Sequence, residues 1–254
     1  MINFVGAGPG AVDLITVRGR ELIENADVII YAGSLVNKEH LKYAKADCEI
    51  YNSASMTLEE VIAVMLKAEK SGKMTVRLHT GDPSIYGAIR EQMDLLDKNN
   101  IKYEVCPGVS SMFGAAAVLK AEYTLPDVSQ SVIITRIAGR TPVPEKEDIT
   151  LLASHGATMV IFLSAGMLLE LSKKLIEGGY SEDTPAAIVY KATWEDEKVI
   201  RTTVKNLASA AKENDITKTA LITVGGFLGD DYDRSKLYDP TFTHCFRKGK
   251  DEQD

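Results

Sequence analysis

Residues 76–92, VRLHTGDPSIYGAIREQ, constrain this chain most. An apolar strand ends at Val76-Arg77-Leu78 and meets a tight polar turn, Thr80-Gly81-Asp82, directly before Pro83. Asp at an N-cap and Pro at the first helical position mark a helix start. The spacing therefore predicts a helix opening at Pro83, capped by Asp82. Such a strand–turn–helix sets backbone N–H groups and one carboxylate at the carboxyl end of a strand. Ligands bind there in open α/β sheets. A well-capped helix start is the plainer reading, and the two are compatible.

The same arrangement recurs. Residues 2–5, INFV, run into Gly6-Ala7-Gly8-Pro9-Gly10, and Tyr103-Glu104-Val105 leads into Pro107-Gly108-Val109-Ser110-Ser111. Asp27 to Tyr31 reads as a buried parallel strand. Thr57 and Glu60 form a capping box, and Leu58, Val61, Ile62, Met65 and Leu66 mark the buried stripe of the helix that follows. Alternating strands and helices predict a parallel sheet for the first half.

Residues 123–130 break the rhythm and read as a connector. The chain is thus expected to be α/β with two α/β domains, 1–124 and 125–254. In the second, strands are expected at 132–135, 158–163, 186–190, 198–203 and 220–224, with some antiparallel character. Trp194 to Glu197 would turn between two of them as a hairpin. The sequence beyond about 230 is a polar tail apart from Phe242 and Phe246.

Composition removes several function classes. No apolar stretch approaches the roughly 18 residues of a membrane span. The start, INFVGAG, shows no signal peptide. Cys48, Cys106 and Cys245 are scattered and odd in number, which fits neither a disulfide framework nor a zinc site. A cytoplasmic location without a membrane is the expectation. A net charge of -7 argues against nucleic acid as partner. His40, His79, His155 and His244 lie far apart, so no metal site is expected. A packed His79 is favoured over a ligand contact.

The first glycine cluster invites a dinucleotide reading. Pro9 stiffens a turn that would have to hug a pyrophosphate, and Tyr31-Ala32-Gly33-Ser34 offers no carboxylate for a ribose. A wall of an active cleft, where backbone approaches a ligand closely, explains the glycines better. Nucleophile elbow and P-loop motifs are both missing from the sequence. This suits a reaction driven by a bound cosubstrate, with positioning as the protein's part. Arg136 and Arg140 in the loop RIAGRTPVP are candidates for holding substrate carboxylates, the alternative being a solvated charge pair.

Taken in order, VGAGPG, LITVRG, YAGSLV, LHTGDPSIYGAIREQ, PGVSS, TRIAGRTPVP, ATMVIFLSA and VYKATWEDE resemble the tetrapyrrole methylases over about residues 2–225. The resemblance implies two α/β domains with a cleft between them, usually in a homodimer. It implies S-adenosylmethionine bound in that cleft and methyl transfer to C11 of precorrin-4, or its cobalt form, in cobalamin synthesis. It also implies cofactor contacts at Pro9, Thr80, Gly81, Asp82, Ile85, Ser110, Ser111, Leu163 and Ala192. Related methylases often carry Gly-Gly-Asp at 80–82 and methionine at 163. No protein-bound metal is expected. Methylation of another carbon, a non-catalytic ligand carrier and a diphthine synthase-like methyltransferase are the alternatives.

Overall fold

The computed structural model describes residues 1–33 and 35–250. Ser34 of the YAGSLV motif and residues 251–254 of the tail lie outside the described residues. Two compact units emerge. The first is Met1–Val118 with Tyr190–Lys198, and the second is Leu119–Val189 with Val199 onward.

The first unit runs β1 (Ile2–Gly6), α1 (Val17–Asn25), β2 (Val28–Tyr31), β3 (Glu49–Asn52), α2 (Leu58–Lys70), β4 (Thr75–His79), α3 (Arg90–Lys98), β5 (Tyr103–Cys106) and α4 (Ser111–Leu119). Its five strands form a parallel sheet in the order β3-β2-β4-β1-β5. Side chains alternate across the sheet, so each strand serves two cores. Val5, Ile29, Val76 and Leu78 pack with Ile23 of α1. Ile2, Phe4, Val28 and Ile30 pack with Val61, Ile62 and Met65 of α2 and Leu96 of α3. Burial on both faces explains why these strands read as near-continuous apolar runs.

The expected capping box is present. Thr57 Oγ1 accepts the Glu60 N–H at 3.3 Å, and the Glu60 carboxylate accepts the Thr57 N–H at 2.8 Å. Thr57→Ala should therefore cost about 0.5–2 kcal/mol. The denaturation midpoint checks this, and an unchanged midpoint would count against the cap.

The second unit contains β6 (Val132–Arg136), α5 (Ile149–Ala153), β7 (Thr158–Phe162), α6 (Leu168–Glu177), β8 (Pro185–Tyr190), β9 (Lys198–Thr203), α7 (Leu207–Glu213) and β10 (Ala220–Val224). The strand order is β6-β7-β10-β8-β9. β6 and β7 are parallel, whereas β7 and β10 are antiparallel, which is the mixed character expected. The Thr158 hydroxyl donates to the Tyr123 carbonyl at 2.8 Å, and the Tyr123 ring meets Phe227 edge-on.

Candidate active site

Because β4, β1 and β5 are parallel neighbours, their carboxyl ends lie on one edge of the first sheet. The pairing continues past the strands. Ala7 N–H donates to the His79 carbonyl at 2.7 Å, and Gly81 N–H donates to the Gly8 carbonyl at 2.8 Å. Gly81 has φ 60°, a region open to glycine at no steric cost. A Cβ on Gly108 would stand 2.2 Å from the Gly81 oxygen and 2.7 Å from Gly6 Cα. Three turns thus touch through bare backbone; this contact is what the glycines at 6 and 108 serve, and Gly81 serves the positive φ of its turn.

Asp82 ties two of these turns together. Its Oδ1 accepts the Ser84 N–H at 2.8 Å and the Ser84 hydroxyl, while Oδ2 accepts the Gly108 N–H at 2.8 Å. The expectation that Asp82 caps a helix from Pro83 is corrected here. Pro83–Tyr86 is a turn, and the helix begins at Arg90. Tyr86 at φ 55° and Ala88 at φ 50° lie in the left-handed region and cannot continue a right-handed helix. Burial alone would raise the Asp82 carboxyl, but the bonds from Ser84 and Gly108 outweigh it and hold it below its ordinary value.

Ser110 and Ser111 lie at the start of α4. Ser110 is buried, and its carbonyl accepts the Phe113 N–H at 3.0 Å. A Cβ on Gly81 would lie 3.4 Å from the Ser111 nitrogen. The Thr80–Asp82 turn therefore abuts the N-terminus of α4, whose first N–H groups at Met112, Phe113 and Gly114 turn onto Ser110. Thr80 is half-buried in the same turn, and the Ile85 N–H turns back to the Asp82 carbonyl at 3.3 Å. Pro9 and Ala192 join them: a Cβ on Gly114 of α4 would lie 2.7 Å from Pro9 Cβ and 3.6 Å from Ala192 Cβ. The first unit thus gathers Pro9, Thr80, Gly81, Asp82, Ile85, Ser110, Ser111 and Ala192.

The other three expected residues belong to the second unit. Leu163 follows β7 with φ 53° and is 63% exposed, an unusual combination for a leucine. Its turn is tied to the end of β6, because the Ile137 N–H donates to Ser164 Oγ at 3.1 Å. Arg136 turns its guanidinium onto its own loop, donating to the carbonyls of Thr141 at 3.1 Å, Pro142 at 2.7 Å and Ile137 at 3.4 Å. Arg140 is exposed and makes no ion pair among the described residues. The two arginines that look equivalent in sequence therefore differ in what they are free to do.

His79 is a packed histidine, as favoured above. It is buried against Phe4, and burial first, then Arg77, push it down to about 3. It stays neutral near pH 7 and is a poor proton acceptor there. Arg77 is itself buried, donating to the Ile30 carbonyl at 3.1 Å and to Gln92 at 3.2 Å. Among the described residues no three His, Cys, Asp or Glu side chains are grouped to hold a metal ion. Sequence reasoning missed Thr193 and Trp194, which meet the glycine turn after β1. Locally Trp194 reads as part of a hairpin turn, and no spacing in the sequence connects either residue to residue 9.

S-adenosylmethionine, implied by the resemblance, joins an amino acid zwitterion to adenosine. The residues fit such a group: side-chain-free walls at the glycine turns and a carboxylate held ionised.

The chain is similar to known proteins over most of its length. Residues 1–208 match the model of the Tetrapyrrole (Corrin/Porphyrin) Methylases. The chain is 60% identical over 248 residues to a cobalt-precorrin-4 C(11)-methyltransferase of Methanocaldococcus jannaschii, covering 97% of this chain and 96% of the relative. A crystal structure of a cobalt precorrin-4 methyltransferase of cobalamin biosynthesis superimposes with TM-score 0.88 and 50% identity, covering 90% and 96% of the two chains. A uroporphyrin-III C-methyltransferase from Thermus thermophilus, complexed with S-adenyl homocysteine, shares the fold with TM-score 0.74 at 22% identity, covering 89% and 92%.

Proposed function

This chain belongs to the tetrapyrrole methylases, and we propose that it transfers the methyl group of S-adenosylmethionine to C11 of precorrin-4 or cobalt-precorrin-4 in cobalamin biosynthesis. The near full-length likeness to a C11 enzyme carries the choice of substrate, and the site in the first unit is consistent with it. When bound, S-adenosylmethionine supplies a methyl group already activated by its sulfonium.

The protein's own part is binding and alignment. Asp82 would hold the amino acid end of the cofactor, with Thr80, Gly81, Ile85, Ser110 and Ser111 around it. Pro9, Ala192 and Leu163 would border it. Arg140 meets the acidic side chains of the tetrapyrrole. The nucleophile is a carbon of the substrate's own conjugated system, so none of the cysteines is required as a methyl carrier. Cys106 is buried in the core beside Thr16, and Cys48 is held protonated by burial first. Rate then comes from holding methyl and carbon about 3–3.5 Å apart in line. The active form is a homodimer in the cytoplasm that needs no protein-bound metal. No helix among the described residues is long and apolar enough to cross a membrane.

Incubation with S-adenosylmethionine and either precorrin-4 or cobalt-precorrin-4 tests the reading. One added methyl group, located at C11 by carbon-13 labelling, is the expected product. The faster of the two substrates identifies the natural metal state. Methylation at another carbon, or no turnover with either, would replace this assignment.

A further inference from the structure

The segment between β8 and β9 groups with the first unit and not with the sheet whose strands it joins. It grips the glycine turn after β1. Trp194 Nε1–H donates to the Pro9 carbonyl at 3.2 Å, and Thr193 Oγ1 accepts the Ala11 N–H at 3.0 Å. Between these two bonds, a Cβ on Gly10 would stand 2.1 Å from Trp194 Cδ1. Only glycine lets the indole lie that close. From another direction Asn37 donates its amide N–H to the Gly10 carbonyl at 3.0 Å. Three successive residues of the turn are thereby fixed by side chains from two separate stretches of chain.

The gripping segment holds an unusual shape to do this. Lys191 at φ 46° and Thr193 at φ 70° lie in the left-handed region, which a β-branched residue such as Thr193 strongly disfavours. Internal contacts hold it there. The Thr193 N–H donates to Glu197, Lys191 pairs with Asp196, and the Lys191 ammonium lies 5.5 Å from the Trp194 ring centre. A strained conformation held by this many contacts is the mark of a segment whose shape is needed.

We propose that residues 190–198 are a strap that fixes the glycine turn as one wall of the cofactor site. Thr193 and Trp194 are its positioning residues, and Trp194 reports occupancy of the site. The proposal rests on the methyltransferase reading above. Neither side chain takes part in bond making. Both act through the backbone of Pro9 to Ala11, whose placement decides how the bound methyl donor is aimed.

Trp194 is the only tryptophan in the chain, so its emission needs no deconvolution. Titration of the wild type with S-adenosylhomocysteine should change that emission saturably, with a midpoint equal to the calorimetric Kd. Thr193→Val keeps the β-branched shape and removes the acceptor. It should lower kcat roughly tenfold to a hundredfold, as small misplacements do, with Tm and Kd nearly unchanged. Thr193→Ser should restore kcat, and Trp194→Phe, which loses only the N–H and part of the ring, should resemble Thr193→Val. Wild-type kcat in both Thr193→Val and Trp194→Phe overturns the proposal. So does a lowered Tm together with a raised Kd and a lowered kcat, which marks a merely structural strap. Calorimetric binding without an emission change overturns the reporter role. Absence of calorimetric binding overturns the methyltransferase reading itself, and the strap proposal with it.

Discussion

Replacing Asp82 by asparagine should harm this protein nearly as much as replacing it by alanine. At a helix N-cap the two substitutions would separate, because Asn caps about as well as Asp. Here both carboxylate oxygens accept N–H bonds, one from Ser84 and one from Gly108, each at 2.8 Å. An amide has one acceptor and one donor end. Whichever way it flips, an NH2 group faces a backbone N–H. Asp82→Asn and Asp82→Ala should each lose about 1–3 kcal/mol of stability, the range for a donor left without its partner. Both should weaken S-adenosylhomocysteine binding about tenfold or more, equivalent to about 1.4 kcal/mol. Melting curves and calorimetry supply the readouts. The sign with pH follows from the lowered Asp82 pKa. Its stabilising contribution is complete above the ordinary carboxylate value of about 4 and is lost as pH falls through the depressed native value. The gap in Tm between wild type and Asp82→Asn should therefore narrow on acidification. If Asp82→Asn matches wild type in Tm and Kd, the two-turn tie has no energetic weight.

The second large effect separates the two arginines of the 136–142 loop. Arg140→Ala should raise the tetrapyrrole KM roughly tenfold to 150-fold, corresponding to the about 1.5–3 kcal/mol of a hydrogen bond to a charged group. Kd for S-adenosylhomocysteine and Tm should hardly move, because Arg140 makes no ion pair among the described residues and is exposed. Arg140→Lys should recover only part, since an ammonium cannot copy the guanidinium fork. Arg136→Ala should behave differently. Its guanidinium holds three carbonyls of its own loop, so its loss should lower Tm and raise KM together. An Arg136→Ala variant with unchanged Tm and a raised KM would return Arg136 to direct substrate contact.

These two cases also mark how far the sequence reaches. By itself it determined the strands, whose apolar runs reflect burial on both faces of the first sheet. It determined the capping box of Thr57 and Glu60, and it placed Gly6–Gly10, Thr80–Asp82 and Pro107–Ser111 at strand ends. All of these depend on neighbours within a few residues, which periodicity and turn chemistry record. Tertiary structure alone decided what those turns do. Asp-Pro reads as a helix start, yet Asp82 bonds Gly108, 26 residues on, and the helix waits until Arg90. Arg136 and Arg140 look alike until the loop folds back on one of them. Trp194 reads as part of a hairpin turn, yet it donates to a carbonyl 185 residues away. Local propensity acts through the backbone of adjacent residues. A hydrogen bond acts through space, and only the folded chain brings its two ends together.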